Sequence, residues 1–266
     1  MNTKQIAIIF FLTALACMPA RVQVTQAADL SFSAGGGIWY NGVDGHIRYK
    51  DNPSIDVDYL NYDDEIRGYM WGELRHPVPI IPNIRVEYAD VKFSDQSSAS
   101  FTWEDIVYEA NTWSMTKLKQ LDLIAFYNLL DTSWFSMDLG VDAKYIDFKF
   151  EAQGMGTVAG IKKVLYDEYE KENIWVPLAY GNARFNVPGT NLGLGACIKY
   201  IAYKNSQAMD MEVTVDYLYS FSHFQAGVEA GYRFENIDLD QDDISGLNFD
   251  ADINIKGPFT GIVLRF

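Results

Sequence analysis

Apolar and polar residues alternate strictly along much of this chain. Residues 209–221, MDMEVTVDYLYSF, place Met209, Met211, Val213, Val215, Tyr217, Tyr219 and Phe221 on one face and Asp210, Glu212, Thr214, Asp216, Leu218 and Ser220 on the other. Residues 224–235 repeat the pattern, with Phe224, Val228, Tyr232 and Phe234 set against Glu229, Arg233 and Glu235. Residues 135–145 do so again, with Phe135, Leu139, Val141 and Tyr145 against Asp138, Asp142 and Lys144. A period of two marks an extended strand with two unlike faces. The apolar faces of these three segments carry no charge, whereas the opposite faces carry nine charged residues.

Ten such segments fall near 30–41, 62–75, 83–95, 112–128, 134–151, 173–187, 191–204, 207–221, 223–238 and 247–266. An antiparallel sandwich also alternates. These segments are longer than the 5–6 residues or so usual in globular strands, and their apolar faces end in Tyr, Trp and Phe, as in the aromatic girdles of membrane barrels. Connectors 76–83, 129–133, 188–190 and 222–223 are short, while 42–61, 96–111, 152–172 and 239–246 are longer, with a tight turn at 204–206 as the exception. That parity fits short periplasmic turns and longer outer loops. The pattern therefore predicts an all-β fold: a transmembrane antiparallel up-and-down β-barrel of about ten strands, with eight to twelve compatible and both termini periplasmic.

Two places break the alternation. Around Tyr145–Ile146 the outward register is expected to move to Ile146, Phe148 and Phe150, and a similar shift lies near Gly257–Pro258; both read as β-bulges near the barrel rims. Residues 158–172, VAGIKKVLYDEYEKE, space Val158, Ile161, Leu165 and Tyr169 at helical intervals, which predicts a short helix capping the barrel mouth.

Residues 1–28 read as a secretory signal peptide, with Lys4 as the positive region, an apolar run at 6–18, and cleavage after Ala27 or Ala28. That leaves 29–266 as the barrel domain. A lipoprotein signal at Cys17 lacks the usual Leu three residues earlier, and a 13-residue apolar run is too short to span the hydrocarbon as a helix. Removal of the leader takes away Lys4 and Arg21 and no acid, so the net charge moves from −15 to −17 and Cys197 is the one remaining cysteine. An acidic chain repels phosphate, so no nucleic-acid partner is expected. The 48% hydrophobic and 15% aromatic content argues against disorder, and a mean hydropathy of −0.10 is the average of two opposite faces.

The leader, the AGGG run at Ala34–Gly37, the ten strands and the terminal Phe266 together resemble a family of small Gram-negative outer-membrane β-barrels named for a Gly-Gly pair in the first strand. The resemblance implies the fold and the outer-membrane location after leader cleavage. It assigns no substrate. It also implies that Phe266 is the signal read by the insertion machinery. Outer-membrane lipid and lipopolysaccharide are the expected surroundings, and a monomer is the expected state.

On this reading Glu65, Arg67, Glu73, Arg75, Arg85 and Glu87 line the lumen from the first half of the chain. Asp122, Asp138, Asp142, Lys144, Arg184 and Lys199 do so from the middle, and Asp210, Glu212, Asp216, Glu229 and Arg233 from the last strands. Both signs are present, so the groups are expected to pair across a narrow bore. Eight strands leave an interior just filled by side chains and 16–18 leave a channel, so ten predict a largely filled polar lumen.

Omptin proteases are ten-stranded barrels that use acidic pairs and an Asp-His pair at the outer rim. Here His76 and His223 fall in short turns, and His46 alone lies in an outer loop, with Asp44 and Ser54 nearby. A solvated loop histidine is the expectation, and no catalytic residue is assigned. The segment 236–246 offers Asp238, Asp240, Asp242 and Asp243, alternate carboxylates that suit Ca²⁺ or Mg²⁺ weakly, because Asp243 and Phe249 depart from the calcium-loop pattern. No other cofactor is expected. A second acidic loop holds Asp51, Asp56, Asp58, Asp63 and Asp64.

Three functions follow in order of preference. The first is a non-enzymatic barrel whose acidic outer loops bind a small ligand, divalent ions or a surface partner. The second is a narrow channel for small solutes, and the third is a rim-sited hydrolase or acyltransferase using His46. Mixed lumen charge favours the first over the second, since a selective pore more often shows one sign.

Overall fold

The computed structural model describes residues 30–49, 52–103, 106–158, 161–241, 243 and 249–266. The expected leader at 1–28 lies outside them, as do Asp51 and Asp242. In chain order the elements are β1 (Ser31–Tyr49), β2 (Ile55–Asp56), the one-turn helix α1 (Val57–Leu60), β3 (Glu65–Arg75), β4 (Asn83–Gln96), β5 (Phe101–Trp103), β6 (Ile106–Tyr108), β7 (Trp113–Asp131), β8 (Phe135–Val158), β9 (Ile161–Asn186), β10 (Leu192–Tyr203), β11 (Ser206–Ser220), β12 (Gln225–Leu239) and β13 (Phe249–Arg265).

Ten long strands close on themselves. Antiparallel pairing runs β1–β3–β4–β7–β8–β9–β10–β11–β12–β13 and returns to β1, a complete up-and-down barrel of the predicted strand number. Closure leaves no free sheet edge in the wall, the condition for burying backbone amides in hydrocarbon. The connections after β3, β7, β9 and β11 lie at the end where β1 starts and β13 stops (the terminal end), where Phe32 and Phe266 exchange backbone hydrogen bonds of 3.2 and 2.8 Å. The remaining connections, with β2, α1, β5 and β6, lie at the opposite, distal end.

Both faces of the wall invert at one level. On β4 the outward residues pass from Ile84, Val86 and Tyr88 to Asp90 and Lys92, while the inward ones pass from Arg85 and Glu87 to Ala89, Val91 and Phe93. On β8 the outward face changes after Tyr145 to Asp147, Lys149 and Glu151, and the inward face changes after Lys144 to Ile146, Phe148, Phe150 and Ala152. On β13, outward Leu264 and Ile262 give way to Lys256, Asn254 and Asp252, while Ile255, Ile253 and Ala251 turn inward. Exposed Tyr40, Trp175, Tyr200 and Tyr232 form a collar at this level with Tyr88 and Tyr145. A second aromatic ring, with Phe32, Trp134, Tyr219, Phe221 and Phe266, surrounds the terminal end.

Ten residue steps separate Phe135 from Tyr145 on β8. At about 3.4 Å each and a tilt of about 45°, they span about 25 Å, the height of the apolar band of a membrane barrel. Below the collar the molecule is apolar outside and charged inside. Above it, the same ladder is polar outside and apolar inside, like a water-soluble sheet protein.

This inversion replaces the two expected bulges. Register runs unbroken through Tyr145–Ile146 against both neighbours, and through Gly257–Pro258 against β12. Ile146, Phe148 and Phe150 therefore face the interior. The observed irregularities lie elsewhere, at Asn128/Leu130 and Gly154/Gly156. The helix expected over 158–172 is also absent from the described residues: 161–172 belong to β9, and Val158 pairs with Ile161. A short isolated helix is marginal in water, whereas continuing the β8–β9 ladder supplies a hydrogen-bond partner to each successive residue.

The distal interior is packed solid. Trp39, Phe93, Phe150, Phe148, Leu118 and Ile255 are all buried there, joined by Phe101, Trp103, Ile106 and Tyr108 of the β5–β6 hairpin and Ile55 and Leu60 of β2–α1. Burying each large side chain contributes about 1.5–3 kcal/mol. Asp56 starts α1 by accepting the Asp58 amide at 3.0 Å, which turns Leu60 into this core. On β9 the pairing with β10 stops at Ala179–Tyr200, two residues short of Pro177, which has no amide hydrogen to continue it.

Candidate functional site

The inward carboxylates and cations of the membrane section form a sealed ionic layer just beneath the apolar core. Lys144 Nζ lies 2.8 Å from Glu235 Oε1, 3.0 Å from Asp210 Oδ2 and 3.4 Å from Asp122 Oδ2. Lys199 Nζ donates to Glu87 and Asp122 and sits 3.5 Å from Asp210. Arg233 grips Asp210 with two hydrogen bonds of 2.9 and 2.6 Å and stacks over Trp39 at 5.0 Å. Gln120 donates to Glu235 Oε2 at 2.6 Å. Lys144 and Lys199 are each 2% exposed, so water is excluded from the layer. Asp142 is fully buried as well, and neither of its oxygens has a hydrogen-bond partner among the described residues.

A second network lies nearer the terminal end. Arg75 holds Asp138 bidentately at 3.2 and 2.8 Å and Glu73 at 2.6 Å. Asn128 and Asn182 complete the acceptor sites of Asp138 at 2.9 and 3.1 Å. Arg85 joins Glu87 at 2.5 Å to Glu73 at 3.3 Å, so Glu87 links the two networks. Arg184 and Asp216 form a separate bidentate pair at 2.6 and 2.7 Å. Glu229 accepts from Tyr69 and Trp71 at 2.7 and 3.2 Å. Glycines on β1 and β13 make room for this: a Cβ on Gly35 of β1 would stand 2.6 Å from the Trp71 ring, and one on Gly261 of β13 2.4 Å from the Tyr69 hydroxyl.

The lumen residues named from sequence thus all lie on the inward face, but they do not form one group. Glu65 and Arg67 stand apart, above the end of the β3–β4 ladder, where Arg67 donates to the Lys92 carbonyl at 3.1 and 3.3 Å. Sequence reasoning omitted Glu235 and Gln120 from the layer, although both share the parity of named neighbours: Glu235 follows Arg233, and Gln120 precedes Asp122 by two residues.

Of the described acidic residues of 236–243, Asp238 stands apart from Asp240 and Asp243. Asp238 lies on the outer wall opposite Asp252 on β13, next but one to His46 on β1. Burial, Asp252 and Asp240 raise its carboxyl above the usual range, against the pull of His46. Asp243 instead latches the β10–β11 turn, accepting the amides of Asn205 and Ser206 at 2.8 and 3.1 Å and pairing with Lys204 at 3.2 Å. Asp240 takes the Asn205 side chain at 3.3 Å. Among the described residues, no three His, Cys, Asp or Glu side chains converge as a metal site. His46 is exposed and makes no hydrogen bond to Asp44, whose oxygens serve Asn254 and Lys256 at 3.0 and 2.6 Å.

Burial opposes ionisation of Asp243, yet the Asn205 amide, Lys204 and Ser206 together hold its carboxyl below the usual range. A depressed carboxyl stabilises the fold above its unfolded value near about pH 4, and that contribution is lost as pH falls through the folded value. Amide exchange protection at Asn205 and Ser206 is therefore expected to fall on acidification, and Asp243→Ala should show the unprotected behaviour already at pH 7. Unchanged protection in that variant would remove the latch. Burial also pushes the Tyr62 hydroxyl up to about 12, against its 3.0 Å hydrogen bond with Thr116, while its ring stacks on Phe93 at 6.1 Å.

Comparison with solved structures finds the outer membrane protease OmpT of Escherichia coli at a TM-score of 0.52 and 12% identity, covering 92% of this chain and 99% of that one. The fold is that of an outer-membrane β-barrel. Ail, the attachment invasion locus protein of Yersinia pestis, aligns over 90% of this chain and all of its own at 10% identity and a TM-score of 0.39. The toluene transporter TodX of P. putida aligns over 95% and 92% at 8% identity and 0.32. No protein family and no curated protein matches the chain.

Proposed function

We propose that this chain is a non-enzymatic, non-conducting barrel of a Gram-negative outer membrane, inserted after loss of residues 1–28, with its termini periplasmic and its distal extension outside the cell. The supporting observation is the double closure of the lumen, an ionic layer directly beneath a solid apolar core. An ion crossing it would have to displace buried Lys144 or Lys199 from carboxylates and then pass through a plug of aromatic and aliphatic side chains. The outward wall above the collar, with Asp44, Asp147, Glu151, Asp238 and Asp252 among its residues, is the surface this reading offers to a partner, to divalent ions or to neighbouring lipopolysaccharide. The glycine run under Trp71 and the terminal Phe266, packed on Phe32 and Phe224 at 6.3 and 5.9 Å, support kinship with the Gly-Gly barrels and the role of Phe266 as the assembly signal of a monomer.

The engagement of both Asp44 oxygens by Asn254 and Lys256, rather than by His46, favours the non-enzymatic reading over a rim-sited hydrolase. Planar bilayers holding the purified barrel should show no steady conductance above background. Reproducible single-channel steps would overturn the closed-lumen reading in favour of a solute channel.

A further inference from the structure

Between the ionic layer and the terminal-end turns the lumen is open. A cavity of about 690 Å³ occupies this section, within the range of small-molecule sites. Its floor is formed by Lys199, Glu87 and Asp210 of the sealed layer, so it is a blind vestibule entered from the terminal end. Phe221, Phe224 and Phe266 stand at its mouth, with ring centroids 4.7 and 5.9 Å apart.

The charges on its wall are matched with four exceptions, one of which, Asp131, is exposed at the rim. Arg75, Arg85, Arg184 and Lys199 each have a carboxylate within 4 Å. Arg265 has none among the described residues, although it lines the same cavity. Glu212 and Glu229 line it too, and neither has an ammonium or guanidinium partner there. Glu212 accepts from the Thr214 hydroxyl at 2.8 Å, and Glu229 uses one oxygen for both Tyr69 and Trp71, which leaves Oε2 of each carboxylate without a protein donor.

The ladder orders these groups by depth. Arg265 pairs with Gln225 at the mouth, Glu229 pairs with Gly261 four residues deeper, and Glu212 pairs with Arg233 deeper still. Four steps of about 3.3 Å put about 13 Å of strand between the levels of Arg265 and Glu229. An unpaired cation at the mouth and unpaired anions inside complement a ligand with an ammonium at one end and a carboxylate at the other, separated by about 10 Å. Buried or half-buried charged groups left without protein partners gain most when a ligand supplies the missing charge.

We propose that the vestibule binds short zwitterionic peptides, about three residues long, with the ammonium end inward at Glu229 and the carboxylate at Arg265. The proposal is independent of whether the lumen conducts. Isothermal titration of the intact barrel in detergent micelles with trialanine, its N-acetyl form and its C-terminal amide tests it. Trialanine should bind, and each cap should weaken binding about tenfold or more, the scale of one charge-assisted contact. Glu229→Gln should erase the penalty of the acetyl cap alone, and Arg265→Gln that of the amide alone. The wild-type cap series needs no variant to fold. No binding of trialanine at about 10 mM, or equal binding of all three peptides, would overturn the proposal.

Discussion

Lys199→Met should destabilise the barrel by about 3–5 kcal/mol, the cost of removing one partner from a buried ionic network. Lys199 Nζ serves Glu87 and Asp122 and lies 3.5 Å from Asp210, in a layer from which water is excluded. Its loss leaves three carboxylates to share Lys144, Arg85 and Arg233, each already engaged. The measurement is denaturant unfolding of the barrel in lipid vesicles, followed by tryptophan fluorescence. Adding Asp122→Asn to the same chain should recover part of the loss, because an acid then leaves along with the base. A single variant within about 1 kcal/mol of wild type would mean that the layer is hydrated and that the closure it provides is not real.

Phe150→Ala should cost a similar amount, about 3–5 kcal/mol, through cavity formation in the distal core. Phe150 is completely buried, 4.2 Å from the Trp103 ring and 6.5 Å from Phe101. Val213→Ala should cost much less in detergent, because Val213 is 58% exposed on the outward face. Position can be read independently of stability. A tryptophan placed by Val213→Trp should be quenched by brominated lipid, whereas one placed by Phe148→Trp should not. Strong quenching at 148 would return Phe148 to the lipid face and restore the bulge that the sequence pattern suggested.

That contrast shows where the pattern ceases to inform. Period two tells which residues share a face, so Asp138, Asp142 and Lys144 were assignable to the lumen from order alone, and Glu235 and Gln120 by the same parity. It does not say which face is wet. At Tyr145 the polarity of both faces exchanges while the register continues, and a reader of polarity sees that as a slip of one residue. The charges of Asp147, Lys149 and Glu151 at alternate positions were the available clue, since three charges on a lipid face would be costly. The helical spacing of Val158, Ile161, Leu165 and Tyr169 misled for a different reason: local propensity is a weak prior beside a ladder already begun at Phe135. The vestibule was not legible at all, because the lack of a partner for Arg265 depends on which side chains stand across the bore.

The level at which both faces exchange has a consequence for the surrounding lipid. A helix with too long an apolar stretch can tilt to hide the excess. A closed barrel has no such freedom, and here a downward shift by two residues would draw Asp90, Asp147 and Lys256 into hydrocarbon. An upward shift would lift the apolar bands of β4 and β8 into water. The molecule therefore holds its depth like a float with a painted waterline, and where bilayer thickness differs from about 25 Å, it is the lipid that must stretch or thin to meet it.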